Sequence, residues 1–139
     1  MSDGGLRALF RTHLPEGMWT TVETGSTSQG VPDTHFLFTY SRSGWIEFKL
    51  TKANAVVIRP HQIAFAERYW RLGGRCFFAV RKKRPQTKRL SACDELHLFT
   101  GDRGRPLLAH GLKAGISLGI WSGGPAKWNW SAVQTFLTA

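Results

Sequence analysis

Apolar and polar positions alternate along two neighbouring stretches, Pro32–Tyr40 and Trp45–Thr51, separated by the turn residues "SRSG". Alternation at a period of two predicts half-buried strands. In the second stretch Ile46, Phe48 and Leu50 share one face, and Trp45, Glu47 and Lys49 share the other. In the first, Phe36, Phe38 and Tyr40 lie opposite Asp33, His35, Leu37 and Thr39. If even positions pair with even ones, the apolar sets merge into one buried face. The same register gathers Asp33, His35, Glu47 and Lys49 on the other face, and a one-residue slip would mix the two sets.

Elsewhere the pattern changes period. "GLRALFRTHL" spaces Leu6, Leu9, Phe10 and Leu14 as a short helix stopped by Pro15 and Gly17. "MWTTVET" is β-rich and predicts a first strand, followed by the loop "GSTSQG". "RPHQIAFAERYWRLGG" predicts the clearest helix, with Pro60 in its first turn and Gly73 and Gly74 at its end. "RCFFAV" is a continuous apolar run, as in a strand buried on both faces. "RKKRPQTKR" reads as a basic loop or arm, and "LHLFT" as another strand. The glycine-rich remainder, about 101–139, predicts a C-terminal extension ending in a helix from about Ala126, with Trp128, Ala132, Val133, Phe136 and Leu137 as its apolar stripe. The order is α-β-β-β-α-β followed by that extension. It implies one mixed α/β domain over 1–139, with a core at about 5–100.

Composition narrows the partners. The 139 residues are 42% hydrophobic, enough for a core, yet nineteen Lys and Arg against nine Asp and Glu leave a net charge of +10. Such a chain favours polyanions, nucleic acid first. It has no membrane-spanning run and no signal-peptide pattern, so a soluble, intracellular and cytoplasmic protein is expected. Cys76 and Cys93 lack metal-type spacing, and the five histidines show no zinc pattern.

Two carboxylates within an otherwise apolar pair of strands require a partner, and a hard divalent cation is a suitable one. Asp33, Glu47 and the Phe48 carbonyl would hold Mg²⁺, while the Lys49 ammonium offsets charge on a phosphorane-like transition state. "PD", a gap, then "EFK" at the end of a strand resembles the PD-(D/E)xK nucleases. "GVPD", "WIEFKL", "RPHQ" and "GGRCFFAVR" together resemble the phage-type members related to VRR-NUC and Holliday-junction resolvases. The resemblance covers roughly Glu23 to Arg81. It implies a restriction-endonuclease-like core, metal ligation by Asp33 and Glu47, and catalysis by Lys49. It also implies Mg²⁺, for which Mn²⁺ substitutes, a homodimer, and hydrolysis of DNA selected by structure rather than sequence.

Gln62 resembles the helix glutamine of several branches of that superfamily, and its amide would hold Lys49, a water or a phosphate. Tyr69, seven residues on, either joins it on one helix face or packs beside Phe65. The first helix carries no acid, so Glu23 at the end of the first strand is the candidate third acidic ligand; Asp3 and Glu16 flank the helix. Between Arg68 and Cys93 the chain has no acid and nine Arg or Lys. Arg81, Lys82, Lys83, Arg84, Lys88 and Arg89 form the expected phosphate-backbone clamp, on an arm that orders on DNA. Trp121, Trp128 and Trp130 are expected in a core or a dimer surface. Two other classes remain open, a non-catalytic nucleic-acid-binding module with the nuclease fold, and a virion or phage DNA-handling protein.

Overall fold

The computed structural model describes residues 3–22 and 30–139. Its elements are α1 (Leu6–His13), β1 (Met18–Thr21), β2 (Thr34–Phe38), β3 (Arg42–Thr51), α2 (Pro60–Arg71), β4 (Arg75–Arg84), β5 (Cys93–Thr100), α3 (Gly104–His110), β6 (Gly119–Trp121) and α4 (Trp130–Thr138). The strands form one six-stranded mixed sheet in chain order, β1 to β6. Among the described strands only the β3–β4 pair is parallel. Their connection runs through α2, since parallel neighbours need a crossover.

The hairpin has the register expected from its pattern, with Thr34 opposite Ile46, Phe36 opposite Gly44 and Phe38 opposite Arg42. Phe36, Phe38, Ile46 and Phe48 are buried together. The turn is tighter than "SRSG" suggests. Tyr40 and Ser41 adopt positive φ of 61° and 58°, which frees Arg42, Ser43 and Gly44 to join β3. Gly44 is required there because a Cβ would lie 2.5 Å from the Arg75 carbonyl oxygen.

Two apolar cores flank the sheet. One unites Leu6 and Phe10 of α1 with Phe36, Ile46 and Phe48 of the hairpin, Phe77 and Ala79 of β4, and Val133 and Leu137 of α4. The other unites Ile63 and Ala66 of α2, Cys76, Phe78 and Val80 of β4, and Leu107 of α3. Successive residues of β4 thus enter opposite cores, which explains its unbroken apolar run. α2 ends on Gly73 at φ 90°, a backbone conformation that favours glycine.

Three expectations require correction. The extension is no appendage, because β6 pairs with β5, and Leu107, Val133 and Leu137 are buried core residues. The last helix begins at Trp130 rather than near Ala126, capped by the Asn129 side chain, which accepts from the Ala132 amide. Trp128 precedes that helix and is buried in the first core. The first four residues of the basic run are strand rather than loop, since Arg81–Arg84 complete β4 and pair with Cys93–Leu96. The Thr87 hydroxyl then accepts from the Arg89 and Leu90 amides and folds the connection into a turn. No helix among the described residues is long and apolar enough to cross a membrane.

Candidate functional site

Pairing of β2 with β3 stops at Thr34 and Ile46. β3 continues to Thr51, paired on its other side with β4. Asp33 occupies the place where the β2 ladder ends. Its backbone N–H donates to Glu47 Oε1 at 3.1 Å, and its Oδ2 accepts from the Phe48 N–H at 3.4 Å. The Thr34 hydroxyl donates to Asp33 Oδ1 at 2.8 Å. A carboxylate thus takes over the acceptor role that the next residue of a longer β2 would have filled.

Glu47 and Lys49 alternate onto the α2 side of the sheet. Pro60 starts α2, and Gln62 lies in its first turn, where Gln62 Oε1 accepts from the Arg59 amide at 3.1 Å. That bond satisfies one of the helix's orphan amides and aims the Gln62 side chain back toward β3. The same Oε1 accepts from Lys49 Nζ at 3.0 Å. Gln62 Nε2 donates to Glu47 Oε2 at 3.4 Å, and Lys49 Nζ stands 3.6 Å from that oxygen. Asp33, Glu47, Lys49 and Gln62 line one cleft of about 290 Å³.

The cleft is electrostatically tense. Burial, and then the neighbouring Asp33 carboxylate, push the Glu47 carboxyl up to about 7, with Lys49 offsetting part of the rise. Burial also raises Asp33, against the Thr34 hydroxyl, the Phe48 amide and Arg7. Like charges in a partly desolvated site favour protonation unless a cation is present. Hard, anionic oxygen donors of this kind suit Mg²⁺, which binds through one or two carboxylates and keeps several waters. Among the described residues, no group of three or more His, Cys, Asp and Glu is arranged to hold a metal.

Asp3, Arg7 and Arg59 also line the cleft; their place there is not evident from local pattern. Asp3 accepts from the Gly5 and Arg7 amides at 2.9 and 3.2 Å, so it fixes the start of α1. The available signal was an aspartate just before a helix. What carries it to the site is the packing of α1 on the hairpin through Phe10 and Phe48, whose ring centroids are 5.0 Å apart. Glu23, the acidic candidate chosen from sequence, lies outside the described residues.

Other candidates fall elsewhere. Tyr69 stacks on Phe65 at 5.7 Å. His35 meets the Trp45 ring at 5.0 Å. Arg81 is buried, and its guanidinium donates to both oxygens of Asp94 at 2.8 and 2.7 Å and to the Gly4 carbonyl at 2.7 Å. It also lies over the Trp128 ring, 5.6 Å from its centroid. These contacts remove Arg81 from the expected phosphate clamp. Lys82 is half-buried and donates to Asn54 Oδ1 at 3.1 Å. Arg84 is half-buried and donates to the Ser91 carbonyl at 3.1 Å. Lys83, Lys88 and Arg89 are exposed. No protein-family profile, curated protein or solved structure matches this chain.

Proposed function

We propose that this protein is a Mg²⁺-dependent DNA endonuclease with a restriction-endonuclease-like core, selective for DNA structure, branched DNA above all, rather than for sequence. The observation that carries the reading is the convergence of Asp33, Glu47, Lys49 and Gln62 on one cleft. The order α1-β1-β2-β3-α2-β4 is also the order that such a core requires. The charge of +10 supplies affinity for the phosphate backbone without reading bases.

In this reading Asp33, Glu47 and the Phe48 carbonyl hold Mg²⁺, and Mn²⁺ can substitute. The bound cation supplies positive charge at the phosphoryl oxygens and acidifies a water. The chain's own groups do the rest. Lys49, held by Gln62, orients the attacking water and offsets the charge that develops on the phosphate. Gln62 is a positioning residue, because one oxygen ties Lys49 to the start of α2. Arg7 and Arg59 stand at the cleft as phosphate contacts. Each chain supplies one such cleft, so paired cuts across a junction require a homodimer.

The test is nicking of supercoiled plasmid, followed by cleavage of a synthetic four-way junction, linear duplex and single strand. Mg²⁺ should be required, and Asp33→Ala and Glu47→Ala should each abolish cleavage while leaving DNA binding in EDTA intact. Absence of cleavage of every substrate with Mg²⁺ or Mn²⁺ would overturn the reading and leave a nucleic-acid-binding module.

A further inference from the structure

The catalytic cleft has a larger neighbour. Leu50 lines both the cleft and a second cavity of about 800 Å³. The two therefore meet around the end of β3. Leu50, Pro85 and Cys93 give the second cavity apolar walls, and Lys52, Lys83 and Arg84 also line it. Asp94 and Glu95 border it too, but their carboxylates are engaged, Asp94 by Arg81 at both oxygens and Glu95 by His97 at 2.9 Å. Burial pushes the His97 imidazole down, so Glu95 keeps its charge, but Lys52, Lys83 and Arg84 outnumber it and leave the cavity net positive.

Apolar walls beside several cations match an aromatic base joined to phosphates. The volume lies within the ~300–1,000 Å³ typical of small-ligand sites. A base within a duplex has both faces covered by its neighbours, whereas an unpaired base can lay its face on an apolar wall. We propose that this cavity is a subsite for one or two unpaired nucleotides flanking the scissile phosphate. The bases lie against Leu50, Pro85 and Cys93, and the phosphates meet Lys52, Lys83 and Arg84. The subsite rests on the nuclease reading for its role and makes that reading sharper. The preferred substrate carries unpaired nucleotides next to the cut, as at the end of a flap or a frayed branch.

The two cysteines make the site measurable. Cys76 is fully buried, and burial pushes its thiol up to about 12, so it is shielded from alkylation. Cys93 is half-buried and lines the cavity. Iodoacetamide labelling of Cys93 in EDTA, read by mass spectrometry, then reports occupancy without catalysis. A short oligothymidylate should slow labelling by about tenfold, while blunt duplex and polyphosphate of matched charge should leave it near the free rate. A bulky side chain at exposed Ala92, Ala92→Trp, should weaken oligothymidylate binding by about tenfold and leave duplex binding unchanged. Failure of oligothymidylate to protect Cys93, or equal protection by polyphosphate or blunt duplex, would overturn the subsite. The two readings fail separately. Protection without cleavage of plasmid, four-way junction, linear duplex or single strand would sink the nuclease and keep the nucleotide site; cleavage without protection would do the reverse.

Discussion

Lys49 Nζ donates to Gln62 Oε1 at 3.0 Å, joining the end of a central strand to the first turn of the helix that follows it. The same oxygen accepts from the Arg59 amide, so the position of the ammonium is referred to the helix backbone. Gln62→Ala should release Lys49 without removing it. The expected loss in single-turnover cleavage is about 10-fold to 100-fold, with DNA affinity in EDTA unchanged. Equal losses of rate and affinity would make Gln62 a DNA contact instead.

Lys49 and the exposed lysines should separate in a paired experiment. In the proposed mechanism Lys49→Ala removes an electrostatic stabiliser, and a loss of about 10²-fold or more in the cleavage rate is expected, with little change in affinity. Lys83→Ala should do the opposite, weakening binding and lowering the salt slope by about one. Identical profiles for the two variants would end the catalytic assignment of Lys49.

The Glu47 carboxyl has an ordinary value of 4.5 and is pushed up to about 7 in the fold. Between those values the unfolded chain has lost this proton and the folded chain keeps it. The contribution of Glu47 to the stability of the metal-free protein therefore falls as pH rises through that window and levels off above it, while His97, whose imidazole burial pushes down, contributes in the opposite sense. The loss from this one group is about 3 kcal/mol at most. Glu47→Gln should flatten the curve and be more stable than the parent at pH 8 in EDTA. Mg²⁺ should raise the melting temperature of the parent at pH 8 and not that of the variant. Parallel stability curves for the two proteins in urea at pH 5 and 8 would refute the assignment.

Arg81 should matter for folding rather than for DNA. Its side chain is 8% exposed, and its guanidinium binds Asp94 bidentately. Arg81→Ala leaves that carboxylate without its partner, at a cost of about 3–5 kcal/mol. Because Arg81 also holds the Gly4 carbonyl, the variant should loosen the start of α1 next to Asp3. Amide exchange at Arg7, whose N–H Asp3 accepts, reads this directly. A variant with parental stability and weakened DNA binding would restore Arg81 to the phosphate clamp.

The sequence by itself determined the hairpin. Period-two alternation admits one register that buries Phe36, Phe38, Ile46 and Phe48, and that register places Asp33 beside Glu47 and Lys49. Pro60 and Gly73 bounded α2, since each acts through its own backbone dihedrals. Those signals are local and survive without knowledge of the rest of the chain. Tertiary structure decided what depends on distant partners. Lys82 and Arg84 read as loop because charge and a following proline suggest it, yet their backbone groups found β5 across the ladder. Arg81 was one cation among many until Asp94, the Gly4 carbonyl and Trp128 closed around it. Asp3 reached the cleft only because α1 packs Phe10 against Phe48. Residues beyond Thr100, apart from the apolar stripe of the last helix, look irregular in isolation because their glycines interrupt any local period. They became β6, α3 and α4 through burial against a sheet that the earlier residues had built.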